Sequence, residues 1–231
     1  MIELSSMIEV ILDTETTGLS FNTDKIIEIA CIELDNQIPT KNQFHVFVNP
    51  EMDISDGAYQ THGITREFLR DKPTFKNVAK EFLAFIKDSK LVIHNADFDL
   101  AFLNKALQDL DLEPISKERV VDTLMLARQK FPGSQASLDA LCKRFKIDTS
   151  KREKHSALLD CQLLTEVYIE LLEKKEPFLD LQQTQATIAE INSAHVINEN
   201  RDKLIVAISE EEKQLHKRFL ESQVPKSFML K

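Results

Sequence analysis

The sequence has no apolar run close to the roughly 20 residues that a membrane-spanning helix needs. The first nine residues, Met1–Glu9, carry no basic residue and no long apolar stretch, so we expect no secretory signal. Cysteine is scarce, and the spacing of Cys31, Cys142 and Cys161 indicates neither a disulfide framework nor a zinc site. Because free thiols persist in a reducing compartment, we expect the protein to be cytoplasmic.

Positive charge is also scarce. The chain has 29 Lys and Arg residues against 38 Asp and Glu residues, which gives a net charge of −9. This balance argues against a protein that grips nucleic acid with its own basic surface. An acidic chain can still act on nucleic acid if it holds only a few nucleotides through metal ions, or if a partner supplies the basic surface.

The length of 231 residues suits one well-buried domain with an appendage. The first half alternates strand-like and helix-like patterns and predicts an α/β fold. Its first three strands are expected to form an antiparallel meander. The predicted strands are Ile8–Leu12, Ile26–Leu34, Phe44–Val48, Leu91–Ile93 and Val120-Val121, and the predicted helices are a segment opening at Pro73-Thr74, Phe98–Leu110, Leu124–Lys130, Ser137–Phe145 and Ala157–Leu172.

The pattern changes after Lys174. The sequence predicts a main domain over residues 7–174, a linker over 175–187 and a small C-terminal segment over 188–231. The linker is rich in glutamine, a composition that surface helices share. The C-terminal segment contains a predicted helix, Glu210–Leu220, and ends in an apolar tip, but it is too small to bury a core alone.

Two carboxylates stand at the end of the first predicted strand. Asp13 and Glu15 are two residues apart and therefore point to the same face of a strand, with Cα atoms about 6.5–7 Å apart. That spacing suits a pair of cations about 3.5–4 Å apart, as two-metal sites require. Taken alone, an Asp-x-Glu pair is more often a solvated turn or a helix cap. The Thr16-Thr17-Gly18 that follows favours a site, because it offers backbone N–H groups and a close approach for a ligand.

Further acidic residues follow the buried strand Leu91–Ile93. Polar residues at this point, where a strand ends and a helix opens, are common at ligand sites of α/β proteins. Asp97 and Asp99 are both candidates, and Asp97 also suits a helix cap. The residue pattern alone does not choose between them.

A histidine and an aspartate accompany the last predicted helix. Asp160 lies near the buried boundary of this helix, where a carboxylate has to be paired or coordinated. On a continuous helix His155 would lie about 140° away from it, so we place His155 in the preceding loop. An imidazole there suits a general base, since its unperturbed pKa is roughly 6.5. An isolated histidine in a loop is more often simply exposed, so His155 indicates a base only in combination with the carboxylates of the other two segments. Oxygen ligands from three elements favour Mg²⁺ or Mn²⁺ over zinc.

These segments resemble the motifs of the DEDD-h exonuclease superfamily. Asp13-x-Glu15 is similar to its first motif, Asn95-x-x-Phe98-Asp99 to its second and His155-x4-Asp160 to its third. Three motifs in the right order make a specific match. Within the superfamily, the chain resembles the epsilon-type proofreading subunits of bacterial DNA polymerase III. That likeness includes Phe131-Pro132-Gly133, Ser137–Leu141 and His62-Gly63-Ile64.

The resemblance implies a ribonuclease-H-like mixed five-stranded sheet flanked by helices, with a small C-terminal tail. It implies that Asp13, Glu15, Asp99 and Asp160 bind two divalent cations, Mg²⁺ or Mn²⁺, and that His155 takes a proton from the attacking water. All five residues would be catalytic. The substrate-binding residues would be Asp13, Glu15, Thr16, Leu19, His62 and Asp160. Leu19 fits a wedge against the last base and a core position equally well, whereas Phe102 is expected in the core.

The resemblance also implies the activity, a 3′–5′ exonuclease that releases nucleoside 5′-monophosphates from single-stranded or frayed DNA 3′ ends as the proofreading subunit of a replicative polymerase. The C-terminal segment would dock the polymerase catalytic (alpha) subunit. A sliding clamp is a further candidate partner, but Lys174–Leu181 shows no clear clamp-binding peptide. The alternative is a stand-alone RNA or oligonucleotide 3′ exonuclease of the same superfamily. A non-catalytic module with this fold is disfavoured, because all five chemical positions are filled.

Overall fold

The computed structural model describes residues 8–150, 152, 154–172, 213–215 and 218. Its strands are β1 (Ile8–Thr16), β2 (Ile26–Asp35), β3 (Ile38–Phe47), β4 (Lys90–Ile93) and β5 (Val120–Asp122). Its main helices are α1 (Asp56–His62), α2 (Arg66–Leu69), α3 (Phe75–Ile86), α4 (Ala96–Gln108), α5 (Thr123–Lys130), α6 (Leu138–Phe145) and α7 (Ala157–Leu172). A single 3₁₀ turn, Lys117–Arg119, precedes β5.

The five strands form one mixed sheet in the order β3-β2-β1-β4-β5. Strands β1, β2 and β3 are antiparallel neighbours, which confirms the predicted meander. Strand β4 pairs with β1 in parallel, and β5 pairs with β4 in parallel. The carboxyl ends of β1, β4 and β5 therefore lie along the same edge of the sheet.

Both faces of the central strands β1, β2 and β4 are largely buried, and alternate residues of β1 face opposite layers. Val10 and Leu12 pack in a core that includes Phe82 of α3 and Leu103 of α4. Ile11 packs in a second core that includes Cys161 of α7. The central strand thus has α3 and α4 on one side and α7 on the other, and its last residues can present side chains to both layers. Phe102 lies in the first core, as predicted.

The observed elements differ from the prediction mainly in their bounds. Strand β1 continues past Asp13 to Thr16, because its pairing with β2 runs through the Glu15–Glu28 pair. Helix α4 begins at Ala96, two residues before the predicted start. The short helices α1 and α2 were not predicted. Helix α1 buries only His62, so its sequence carries no apolar periodicity.

The four described residues near the C-terminus, Lys213–Leu215 and Arg218, are helical and fall within the predicted helix Glu210–Leu220. The predicted linker and the rest of the C-terminal segment lie outside the described residues, so the domain boundaries at 174, 175, 187 and 188 stay predictions. In the part of the chain that is described, no helix is long and apolar enough to cross a membrane.

Candidate active site

The end of β1 supplies two carboxylates to one face of the sheet. Asp13 and Glu15 share the face on which Ile11 packs against Cys161, one residue beyond Asp160 in α7. The pairing of β1 with β2 shifts between Glu15 and Thr16, so the strand becomes irregular directly after the second carboxylate. The structure thus places Asp13 and Glu15 beside the helix that carries Asp160.

Asp99 reaches the same place from the opposite layer. Thr14 lies between the two carboxylates in sequence and points to the other face, where its backbone N–H and its Oγ1 both donate to Asp99 Oδ1, at 3.1 and 2.7 Å. Asp99 is buried in the first turn of α4. Asp97 is exposed and forms an ion pair with Lys117. Of the two candidates in this motif, Asp99 is therefore the one that joins the buried carboxylates.

The start of α4 is held by Asp122, a residue that the sequence analysis did not single out. Its Oδ1 accepts from the backbone N–H of Asn95 at 3.2 Å and of Leu124 at 2.8 Å, and its Oδ2 accepts from Ala96 at 3.3 Å. One carboxylate at the end of β5 thus caps α5 and fixes the loop that opens α4. Asp-Thr at a predicted strand–helix junction was the available signal, since aspartate is a favoured N-cap.

The third segment brings a histidine to Asp160. Helix α7 begins at Ala157, so His155 lies in the preceding loop, as predicted. Its Nδ1 is 3.1 Å from Asp160 Oδ2. Potential ligand atoms of Glu15, His155 and Asp160 all lie within 4.8 Å of one another.

Arg152 is a second residue of the site that the sequence pattern did not single out. Its Nε donates to Asp160 Oδ1 and its Nη2 to Asp160 Oδ2, both at 2.6 Å. Nη2 also lies 3.0 Å from His155 Nδ1, and Nη1 forms an ion pair with Asp139 at the start of α6. The side chains of Arg152 and Asp160 are only 7% and 6% exposed, so the contacts between them are shielded from solvent.

The site is strongly negative. Burial and the neighbouring charges of Asp99, Asp160 and Glu15 raise the pKa of Asp13 well above its usual range. Burial, with the charges of Asp160 and Glu28, raises the pKa of Glu15 to about 8. Burial also raises the pKa of Asp99 to about 7 against the opposing hydrogen bonds from Thr14. Buried carboxylates that repel one another in this way, with oxygen as the donor atom, fit a site for divalent cations.

Asp160 differs from the other three carboxylates. Its burial alone would raise its pKa, but hydrogen bonds from His155 and Arg152, together with the charge of Arg152, hold that pKa below the usual range. The one carboxylate with a lowered pKa is thus the one with an arginine beside it.

The predicted substrate-binding residues lie around this cluster. Leu19 is 87% exposed, so the core interpretation of this residue is wrong. It borders a groove of about 800 Å³ that also includes Asp13, Asp99, His155 and Asp160. A leucine with this exposure beside a groove is available to a ligand.

His62 is buried and has a defined tautomer. Its Nδ1 accepts from the backbone N–H of Ile64 at 2.9 Å, so Nε2 carries the proton. Burial holds the pKa of the imidazole below its usual value, which keeps the ring neutral. Within the described part of the chain, Nε2 makes no hydrogen bond of ordinary geometry, although the Thr16 backbone is near enough to oppose the fall of the pKa. His62 therefore offers one buried N–H donor.

The turn after β1 serves its own packing. The sequence predicted that backbone N–H groups of this turn are available to a ligand. The Thr17 N–H instead donates to the Lys25 carbonyl oxygen at 2.8 Å. A Cβ on Gly18 would lie 2.6 Å from the Asp24 carboxyl group, which accepts from Thr17 Oγ1 at 3.1 Å. The close approach that requires glycine is thus to Asp24. Thr16 Oγ1 donates to the Gly18 carbonyl oxygen at 2.6 Å.

Comparisons with known proteins agree with this geometry. Residues 10–168 match the RNase T family, which is described as Exonuclease. The chain is 46% identical over 222 residues to the DNA polymerase III subunit epsilon of Rickettsia conorii, covering 94% of this chain and 96% of that protein. It is 40% identical over 219 residues to the DNA polymerase III subunit epsilon of Escherichia coli, covering 90% of each.

Solved structures show the same fold. Exonuclease X in complex with a 5′-overhanging DNA duplex is 30% identical, has a TM-score of 0.57, and aligns with 71% of this chain and 90% of its own. The nuclease domain of 3′hExo, a DEDDh family member bound to rAMP, is 21% identical with a TM-score of 0.63, covering 74% and 94%. The mixed sheet with its flanking helices, the family match and the near-complete coverage by relatives lead to one conclusion: this chain belongs to the RNase T (DEDDh) exonuclease family and is similar over almost its whole length to DNA polymerase III epsilon subunits.

Proposed function

We propose that this chain is a metal-dependent 3′–5′ exonuclease that removes nucleoside 5′-monophosphates from single-stranded or frayed DNA 3′ ends, as the proofreading subunit of a replicative DNA polymerase. The observation that supports the activity most directly is the meeting of buried carboxylates from β1, α4 and α7 at one edge of the sheet, with His155 3.1 Å from Asp160.

Asp13, Glu15, Asp99 and Asp160 would hold two divalent cations, Mg²⁺ or Mn²⁺. The raised pKa values of Asp13, Glu15 and Asp99 support this, because burial and neighbouring negative charges disfavour the ionised form of each carboxylate, and bound cations would offset that cost. When bound, such a pair of cations activates the attacking water and neutralises the charge that develops on the leaving 3′ oxygen. Thr14 would fix the orientation of the Asp99 carboxylate through its two hydrogen bonds to Oδ1.

His155 would take the proton from the attacking water. A base has to present a lone pair, and a neutral imidazole has one. If Nδ1–H donates to Asp160 across their 3.1 Å separation, the lone pair is on Nε2 and is available for the water. The half-exposed loop position gives the ring access to the groove.

Thr16, Leu19 and His62 would hold the terminal nucleotide. The exposed Leu19 offers apolar contact to a base, and His62 offers one N–H donor. One donor and one apolar contact do not distinguish bases. Selection of mismatched ends would therefore come from their easier fraying, since only an unpaired end enters a single-strand site.

The similarity to epsilon subunits over 94% of the chain supports the role as a polymerase subunit. The net charge of −9 leaves little basic surface for DNA, so the polymerase catalytic (alpha) subunit would supply most of the grip. Segment 188–231 would dock that subunit. A sliding clamp is a further candidate partner, although this chain has no clear clamp-binding peptide. The proposed location is the cytoplasm.

The test is the digestion of 5′-labelled single-stranded DNA and RNA by the full chain, with Mg²⁺ and with chelator, next to Asp13→Ala. We expect metal-dependent shortening of DNA from the 3′ end, release of deoxynucleoside monophosphates, and loss of both in the variant. Faster cutting of RNA would move the function to the alternative, an RNA or oligonucleotide exonuclease. Full activity of Asp13→Ala would contradict the site itself.

A further inference from the structure

Arg152 holds both oxygens of the Asp160 carboxylate. The two N–H···O contacts of 2.6 Å form a bidentate pair, the geometry in which a guanidinium binds a carboxylate most firmly. Both side chains are nearly buried, at 7% and 6% exposed. Mg²⁺ binds its oxygen ligands at about 2.0–2.1 Å. In the observed arrangement, a cation approaching either oxygen would meet the positive charge of the guanidinium at close range.

The same guanidinium engages His155. Arginine has only N–H donors, so a hydrogen bond between Nη2 and His155 Nδ1, 3.0 Å apart, requires Nδ1 to be the acceptor. That contact places the imidazole proton on Nε2 and uses the single lone pair of the ring. Asp160 can accept from Nδ1 only when Nδ1 carries the proton. The Arg152 contact and the use of His155 as a base are therefore mutually exclusive.

Asp139 is an alternative ion-pair partner for Arg152 if the guanidinium moves away from Asp160. Asp139 is 68% exposed at the start of α6 and already pairs with Nη1. An arginine that keeps this ion pair can rotate its other nitrogens away from Asp160 without being left buried and unpaired, which is the costly outcome.

We propose that Arg152 is a resident counter-ion that occupies Asp160 and His155 in the metal-free protein, and that it withdraws onto Asp139 when a divalent cation binds Asp160. Arg152 then acts through two other residues: its withdrawal exposes the Asp160 oxygens to the cation and frees the His155 lone pair. This role rests on the proposed metal-dependent function, and it assigns Arg152 a positioning function in that reaction.

The positive charge of Arg152 also reduces the repulsion between carboxylates in the metal-free site. Asp160 lies beside other buried carboxylates, which would repel it without a counter-charge. Arg152 neutralises it through its two hydrogen bonds of 2.6 Å.

If Arg152 and a divalent cation compete for Asp160, removing Arg152 should tighten metal binding. If Arg152 only supports the structure, its removal should not. The experiment is Mn²⁺ binding to the full chain without DNA, measured by calorimetry and by the electron paramagnetic resonance of free Mn²⁺. We expect Arg152→Gln to bind Mn²⁺ about tenfold more tightly than the wild type, within the usual range of coupling between linked sites. Asp139→Asn removes the receiving carboxylate, so it should bind Mn²⁺ several-fold more weakly.

The double variant isolates the mechanism. In the Arg152→Gln background, Asp139→Asn should have no further effect on Mn²⁺ affinity, because there is no arginine left to pair with Asp139. Arg70→Gln is the matched control: it removes the same charge from an exposed ion pair with Glu67, and its Mn²⁺ affinity should equal that of the wild type. If Arg152→Gln does not fold, Arg152→Lys and the exposed Asp139→Asn carry the test.

Unchanged or weaker Mn²⁺ binding by Arg152→Gln would overturn the proposal and make Arg152 a structural support. If Asp139→Asn changes Mn²⁺ affinity equally in the wild type and in Arg152→Gln, the proposed movement of Arg152 onto Asp139 is wrong. Absence of Mn²⁺ binding by the wild type would instead contradict the proposed function, so the two failures are distinguishable.

Discussion

The backbone N–H of His155 donates to the carbonyl oxygen of Thr61 across 3.1 Å. Thr61 immediately precedes His62, so this bond joins the loop of the proposed base to the helix that carries a proposed nucleotide-binding residue. Lys154 adds a contact from its ammonium group to the Gln60 carbonyl oxygen at 2.5 Å. On the other side of the loop, Ser156 Oγ donates to Glu28 Oε1 at 3.1 Å. His155 is thus held from both sides while its ring stays half-exposed.

His155→Ala should separate catalysis from metal binding. The change removes the base but none of the four carboxylates, so we expect the turnover number to fall about 10²–10⁴-fold while Mn²⁺ affinity stays close to that of the wild type. Single-turnover digestion and calorimetry measure the two quantities. A collapse of Mn²⁺ affinity together with activity would show that His155 supports the metal site and is not the base.

Thr14→Val should weaken metal binding through Asp99. The substitution keeps the shape of the side chain but removes the 2.7 Å hydrogen bond from Oγ1 to Asp99 Oδ1, leaving one bond from the backbone. Loss of a group that orients a metal ligand costs about 10–100-fold in metal affinity or activity. Thr40→Val, which removes a hydroxyl bonded to Glu33 at the sheet edge, is the control and should bind Mn²⁺ normally. Equal Mn²⁺ affinity in the two variants would contradict the role of Thr14.

The chelated protein should lose stability as the pH rises. Burial raises the pKa of Glu15 from 4.5 to about 8 and that of Asp99 from 3.8 to about 7, so the folded chain binds these protons more tightly than the unfolded chain. The free energy of unfolding therefore falls as the pH rises from the unfolded values toward about 8. Thermal unfolding with chelator should give a lower Tm at about pH 8.5 than at about pH 6.

Mn²⁺ should reverse this trend, because cations bind the ionised carboxylates, and Glu15→Gln should flatten it. A Tm in chelator that is constant or increases with pH would mean that these carboxylates are not proton-bound in the metal-free protein.

Leu19→Ala should affect substrate binding with little effect on stability. Leu19 is 87% exposed, so truncation removes little buried surface from the folded chain. If the side chain contacts the terminal base, KM for single-stranded DNA should rise about 10- to 100-fold, since a buried leucine contact is worth roughly 1.5–3 kcal/mol. Ile38→Ala, at an exposed residue of β3, is the control with unchanged KM and Tm. Identical kinetics for the two variants would remove Leu19 from the substrate site.

The sequence predicted most of the sheet and the carboxylates, and the reasons lie in local patterns. The two-residue spacing of Asp13 and Glu15 places both side chains on one face of a strand. Asp160 is recognisable because it is a carboxylate among the apolar residues of α7. Choosing Asp99 over Asp97 required the resemblance, because both fit the start of a helix. The structure separates them by burial, since Asp97 is exposed and Asp99 is hydrogen-bonded to Thr14.

Other features depend on contacts between distant segments and were missed. In the sequence, Arg152 is one of several charged residues from Lys151 to Lys154, a pattern typical of a solvated loop. Only the folding of this loop over α7 brings it to Asp160. Helix α1 was missed for a different reason, because it carries no apolar stripe and is marked only by Ser55, whose Oγ accepts from the Ala58 N–H, and by Gly63 with φ of 71°.

The most direct test of the proofreading site is the digestion of a 5′-labelled DNA primer–template with a matched or a mismatched 3′ end, in Mg²⁺, by the chain alone and with the polymerase catalytic subunit. We predict shortening from the 3′ end that is faster on the mismatch, is increased by the polymerase, and is lost in chelator and in Asp160→Asn. Shortening that ignores the mismatch and the polymerase, or that persists in Asp160→Asn, would contradict the account.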